Sequence, residues 1–124
     1  MEALKRDDQE HSVPESLRSL FGSIADAFMR GDYSLRDHRI EGVGPIEPAT
    51  ATAIAENVSA YGDSIAPLDA STWERSCYRW MDGHWQVLVD LTTVREPVSD
   101  LTLHADLREV SGPLLIEIRS VHVP

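Results

Sequence analysis

The chain is 124 residues long and 42% hydrophobic, with a formal net charge of -10 from 21 acidic and 11 basic residues. That length fits one domain with a core of its own, and the composition is that of a folded chain rather than a disordered one. The acids divide evenly, 11 in residues 1–62 and 10 in residues 63–124, so the charge belongs to the fold as a whole; its field repels nucleic-acid phosphates and anionic membrane surfaces and steers a basic protein partner inwards.

Residues 1–12 are polar and read as a flexible leader, with the folded domain over residues 13–124. The leader lacks an apolar stretch of signal-peptide type, and no run of 18 apolar residues exists in the chain, so the expected location is the cytoplasm. Ser12-Val-Pro-Glu15 has the spacing of a capping box. Leu17, Leu20, Phe21, Ile24 and Phe28 then mark one face of a helix over residues 13–30, stopped by Gly31. Residues 32–46 show no sustained period and read as a loop with a short strand near Ile40. A second helix is expected from Pro48 to Gly62, with the thin apolar stripe Ala51, Ile54, Val58 and Tyr61.

The rest of the chain reads as β. A strand is expected over Trp73–Trp80, and Asp82-Gly83 marks a tight hairpin. Trp85, Val87, Val89 and Leu91 alternate with Gln86, Leu88 and Asp90, and Leu101, Leu103, Ala105 and Leu107 with Thr102, His104, Asp106 and Arg108. Ser111-Gly112 is the next turn, and Leu114, Ile116 and Ile118 begin a strand that ends near Val123. Helices first and strands afterwards imply an α+β fold, with two N-terminal helices packed on one face of a four-stranded antiparallel β-meander. Leu20, Phe21, Ile24, Val87, Val89, Leu103 and Ile116 are expected to share its core.

No catalytic signature stands out, and the reading leans away from an enzyme. The five histidines have neither H-x-x-x-H nor H-E-x-x-H spacing, so no metal and no other cofactor is expected. Gly42-Val-Gly44 is not followed by the Lys or Ser/Thr of a phosphate loop, and there is no G-x-S-x-G elbow. Cys77 is the only cysteine, which rules out an internal disulfide, and its apolar and aromatic setting suggests a buried strand residue. Trp73, Trp80 and Trp85 crowd one hairpin, where core packing is the simpler account and an aromatic ligand patch the other.

The densest polar constellation lies on the β half. Asp90, Thr102, His104, Asp106, Arg108, Glu117 and Arg119 alternate out of phase with the apolar positions and belong on the face away from the helices. Asp90, Glu96, Asp100, His104 and Asp106 form the candidate partner-binding set, with Glu96 at a loop tip. The plainer account of these charges is a solvated face of cross-strand pairs, with Asp100 capping a turn.

Gly31-Asp-Tyr33, Tyr61-Gly62, Thr72-Trp73, Trp85 to Leu91, Ser99-Asp-Leu101 and Val121 to Pro124 resemble a family of small bacterial proteins of unknown function, over about residues 13–124. That resemblance implies no activity, cofactor or catalytic residue. In size, acidity and element order the chain also resembles bacterial toxin-immunity proteins, without a shared motif. The expected function is therefore an immunity-like protein-binding module that neutralises a basic partner. The alternative is a small hydrolase or ligand-binding domain with a pocket between helices and sheet.

Overall fold

A computed structural model describes residues 4–124; residues 1–3 of the leader lie outside that range. The elements run β1 (His11–Ser12), α1 (Glu15–Met29), α2 (Pro48–Tyr61), a 3-10 helix (Ala70–Glu74), β2 (Cys77–Trp80), β3 (Trp85–Asp90), β4 (Thr102–Glu109) and β5 (Leu114–His122). All neighbouring strands are antiparallel, in the order β1-β2-β3-β4-β5. The fold is α+β as expected, but the sheet has five strands rather than four. The added strand is β1, where His11 faces Tyr78 and Ser12 faces Cys77.

That strand also overturns the capping box. Ser12 is used by the sheet, and Val13 precedes a proline, which disfavours helical backbone there. The helix opens two residues later than expected, at Glu15, with Pro14 in the cap position and no side-chain cap bond. Leu17 and Arg18 instead donate their backbone N–H groups to the Pro14 carbonyl, at 3.0 and 3.2 Å. The other end follows the sequence: Gly31 takes a left-handed φ of +82°, and Asp32 N–H reaches back to Ala27 O at 3.0 Å.

The expected strand over Trp73–Trp80 is half helix. Asp69 accepts from Ser71 N–H (2.9 Å) and Ser71 Oγ (2.6 Å), and this cap starts a 3-10 turn that runs to Glu74. Only Cys77 to Trp80 remains extended. Asp82 and Gly83 both have positive φ, and Met81 N–H bonds His84 O at 2.8 Å, which closes the two-residue hairpin to β3.

One sheet face is apolar. The cross-strand pairs Tyr78–Val87, Trp85–Leu107, Val87–Ala105, Val89–Leu103 and Leu107–Ile116 all lie on it. Leu17, Phe21, Ile24 and Phe28 of α1 complete the same core, while Leu20 is only partly buried at its margin. The helices do not share that face equally. α1 buries one apolar face in the core, and α2 sits at the β5 margin, where Asn57 Nδ2 donates to Val121 O at 2.9 Å. Residues 42–44 cover the other half of the β5 edge: Ile116 N–H bonds Gly42 O at 2.7 Å and Gly44 N–H bonds Ile116 O at 2.8 Å. The short strand expected near Ile40 is thus a single bridge at Val43.

The leader read as flexible packs on the sheet from residue 4 onwards. Leu4 rests against the core. Lys5 N–H donates to Tyr78 Oη at 2.9 Å, and Trp85 Nε1–H donates to Lys5 O at 3.0 Å. The Arg6 guanidinium lies 4.8 Å from the Trp80 ring centre and 5.0 Å from that of Trp85, and it pairs with Glu109. The tryptophans are packing residues: Trp85 is buried, and Trp80 and Trp73 are packed partly buried against the core.

Candidate functional site

Period-two alternation puts the polar partners of the core strands on the opposite face, where Gln86 faces Asp106, Leu88 faces His104, Asp90 faces Thr102, and Asp106 faces Glu117. Two neighbourhoods share this open face.

The first is a groove of about 780 Å³ at the β1 side, lined by Glu10, Glu74, Arg75, Cys77, Leu88, Asp90, Asp100, Thr102 and the C-terminal Val123 and Pro124, among others. Asp90 is its best-anchored carboxylate. Its Oδ1 accepts from Thr102 Oγ1 at 3.2 Å, and its Oδ2 lies 3.4 Å from Arg75 Nε. The Asp90 backbone is held as well, its N–H by Ser76 Oγ at 3.3 Å and its carbonyl by the Thr72 hydroxyl. Glu10, Glu74 and Asp100 are exposed, and among the described residues none of them has a cationic partner. Cys77 is half-buried rather than buried and donates weakly to Glu10 Oε2 at 3.5 Å. Burial and then the Glu10 charge push its thiol up to about 11, so it is protonated and unreactive at neutral pH.

The second neighbourhood centres on Asp106, a carboxylate 9% exposed. Its Oδ2 accepts from Arg119 Nε at 2.7 Å and lies 3.7 Å from Arg108 Nη2. Its Oδ1 lies 3.5 Å from His84 Nε2 and 3.9 Å from His104 Nε2. A bulge between His104 and Ala105 brings Arg119 here: His104 faces Ser120 and Ala105 faces Ile118, which leaves Arg119 as the extra residue on β5. Arg108 also pairs with Glu117 at 2.9 Å. The bond to Asp106 holds the Arg119 proton more tightly than usual, while burial holds His104 below its ordinary 6.5. Among the described residues no three His, Cys, Asp or Glu side chains converge as metal ligands do.

The five residues singled out from the sequence therefore separate into three places. Asp90 and Asp100 meet in the groove. His104 and Asp106 form the neighbouring network, where Asp106 is already matched by arginines. Glu96 faces elsewhere: its Oε1 accepts from the Tyr61 hydroxyl at the end of α2, so it is no free loop-tip charge. That bond raises the Tyr61 phenol above its ordinary 10.0. The same hydroxyl accepts from Asp100 N–H at 3.1 Å. The turn before β4 is capped by Ser99, whose Oγ donates to Leu91 O at 2.6 Å and accepts from Leu101 N–H at 3.2 Å. The Asp100 side chain, read as that cap, plays no such part and stays exposed at the groove.

Glu10, Glu74 and His84 went unnoticed in the sequence. Glu10 and Glu74 carry no local signal, because only the β1–β2 pairing makes them neighbours. His84 follows the Asp82-Gly83 turn, and a sharper reading of that turn could have aimed it at the open face.

The architecture and this two-part polar face define an α+β domain with a one-sided antiparallel sheet. The chain belongs to the family described as Domain of unknown function (DUF7668), matched over residues 25–124. The match begins within α1, so the β1 wall of the groove lies outside it. No curated protein and no solved structure matches the chain. Among the described residues no helix is long and apolar enough to cross a membrane.

Proposed function

We propose that this protein is a binding module that holds a basic protein partner on its open sheet face, with the groove beside Asp90 receiving cationic side chains. The observation that carries this reading is the charge imbalance of the groove. Glu10, Glu74, Asp90 and Asp100 line it, and among the described residues Arg75, which faces Asp90, is the one arginine or lysine there, with His11 beside it. A lysine or arginine from a partner would find exposed carboxylates that need no internal pair to be broken, and a field of net charge -10 would speed its approach. Neutralising a toxin-like partner by occlusion, as immunity proteins do, is the biological form of this reading, in a cytoplasmic protein. The hydrolase alternative has less support. It calls for a pocket between helices and sheet, and the hollow of about 230 Å³ between α2 and β5 has no carboxylate in its described lining, while the exposed carboxylates of the groove lack the desolvation that tunes a general acid.

The test is capture of partners from the source cells at low salt, followed by association kinetics. We expect raised salt to slow association more than it speeds dissociation. Glu74→Lys and Asp100→Lys should each weaken capture without unfolding the protein, since both side chains are exposed and free of internal bonds among the described residues. Capture that ignores salt and both substitutions would leave the acidity as a matter of solubility alone.

A further inference from the structure

His84 follows the β2–β3 turn, His104 lies on β4 and His122 on β5, yet all three belong to the open face. His84 and His104 reach the same carboxylate oxygen, Asp106 Oδ1, at 3.5 and 3.9 Å. Gln86 Nε2 lies 3.2 Å from His104 Nε2, and Ser120 Oγ lies 2.9 Å from His122 Nδ1. The fixed charges of this neighbourhood are nearly balanced. Asp106 and Glu117 stand against Arg108 and Arg119, with Glu47 a further carboxylate near Arg119.

We propose that the open face is proton-gated: it holds a cationic partner segment while His84, His104 and His122 are neutral and releases it when they are protonated. The inference rests on the binding reading above and adds its regulation. Counted over the whole face, Glu10, Glu47, Glu74, Asp90, Asp100, Asp106 and Glu117 oppose Arg75, Arg79, Arg108 and Arg119, which leaves three net negative charges, while His11 at the groove wall is paired with Asp7. Three protonated imidazoles cancel them. Histidine is the side chain whose charge changes between about pH 5 and 8, so this loss of negative charge falls in the range that separates neutral from mildly acidic compartments. The rings also oppose each other. Burial is the main cause that holds His104 below its ordinary value; Asp106 favours its charged form, while His122, Arg119 and His84 disfavour it.

The probe is a fluorescein-labelled dodecapeptide of arginine and lysine, free of histidine, titrated at fixed ionic strength at pH 7.5 and 5.5. Circular dichroism at both pH values checks that the fold persists. Wild type should bind about tenfold more weakly at pH 5.5, the order expected for a change of a few charges at screened distances of about 10 Å. His84→Gln/His122→Gln should reduce that ratio to about twofold. In NMR titrations of the ring protons, the midpoint of His104 should rise in the same variant. If the double variant does not fold, His122→Gln alone serves, since among the described residues that ring bonds Ser120 and no other side chain. Equal affinity at the two pH values, or a His104 midpoint unmoved by the substitutions, overturns the gate and leaves the binding reading standing. Absence of peptide binding at both pH values overturns both readings.

Discussion

Asp32 shows how much one side chain can organise. It follows the Gly31 stop, and its carboxylate accepts from the backbone N–H groups of Arg36 (3.1 Å), Asp37 (3.0 Å) and His38 (3.0 Å), from His38 Nδ1 (2.9 Å) and from Ser34 Oγ (3.2 Å). Burial alone would push this carboxyl up, but these bonds outweigh it and bring it from 3.8 down to about 2. A depressed folded value means that the unfolded chain binds the proton more readily. The stabilisation from Asp32 is therefore fully present above about 3.8 and is lost as pH falls through about 2. Asp32→Ala should cost about 1–3 kcal/mol at neutral pH, measured by urea denaturation, because three backbone donors lose their acceptor. The difference between wild type and variant should shrink below pH 3. An unchanged difference there would assign the effect to packing rather than to charge. In the sequence this Asp read only as part of an aperiodic loop, since nothing local says that the chain turns back around it.

At the scale of elements, the N-terminal segment behaves as part of the sheet layer. Arg6 stacks beside Trp80 and Trp85, whose rings lie 4.8 Å apart centre to centre, and it pairs with Glu109 at the end of β4. Polar composition alone suggested a frayed leader. That composition is blind to a cation lying beside indole rings, which is attractive although each partner looks exposed or apolar by itself. Arg6→Ala should cost about 1 kcal/mol, since the guanidinium is half exposed. It should also shift tryptophan emission to longer wavelength as water reaches Trp80. Arg6→Lys should recover only part of the loss, because a compact ammonium stacks less well than a planar guanidinium. Emission identical to wild type in Arg6→Ala would show that the segment does not shield the ring in solution.

For the molecule as a whole, one apolar layer carries the stability while the opposite face is left to charge. Val89 of β3 is fully buried in the core opposite Leu103 of β4. Val89→Ala should cost about 2–4 kcal/mol, a large share of the roughly 5–15 kcal/mol available to such a domain. Because Asp90 follows it directly, the variant also tests whether the groove depends on the core: weakened stability with unchanged peptide binding would show that the two faces act independently.

The sequence by itself determined the features that depend on near neighbours. The periods of α1, α2, β3, β4 and β5 were legible, as were the Gly31 and Gly62 stops and the Asp82-Gly83 hairpin, because each rests on backbone preferences or on side chains a few positions apart. It also showed that Asp90, His104 and Asp106 share a face, since alternation along a strand does not depend on what packs against it. Only the tertiary structure decided which of those charges remain available. Asp106 is matched by Arg119 because a bulge in β4–β5 pairing adds a residue to one strand. Glu96 is taken by Tyr61, 35 positions away. Glu10 and Glu74 join Asp90 through a two-residue strand too short to leave a period in the sequence. Whether a charge is matched depends on register and loop closure between distant segments, and neither is encoded in the order of residues along any one of them.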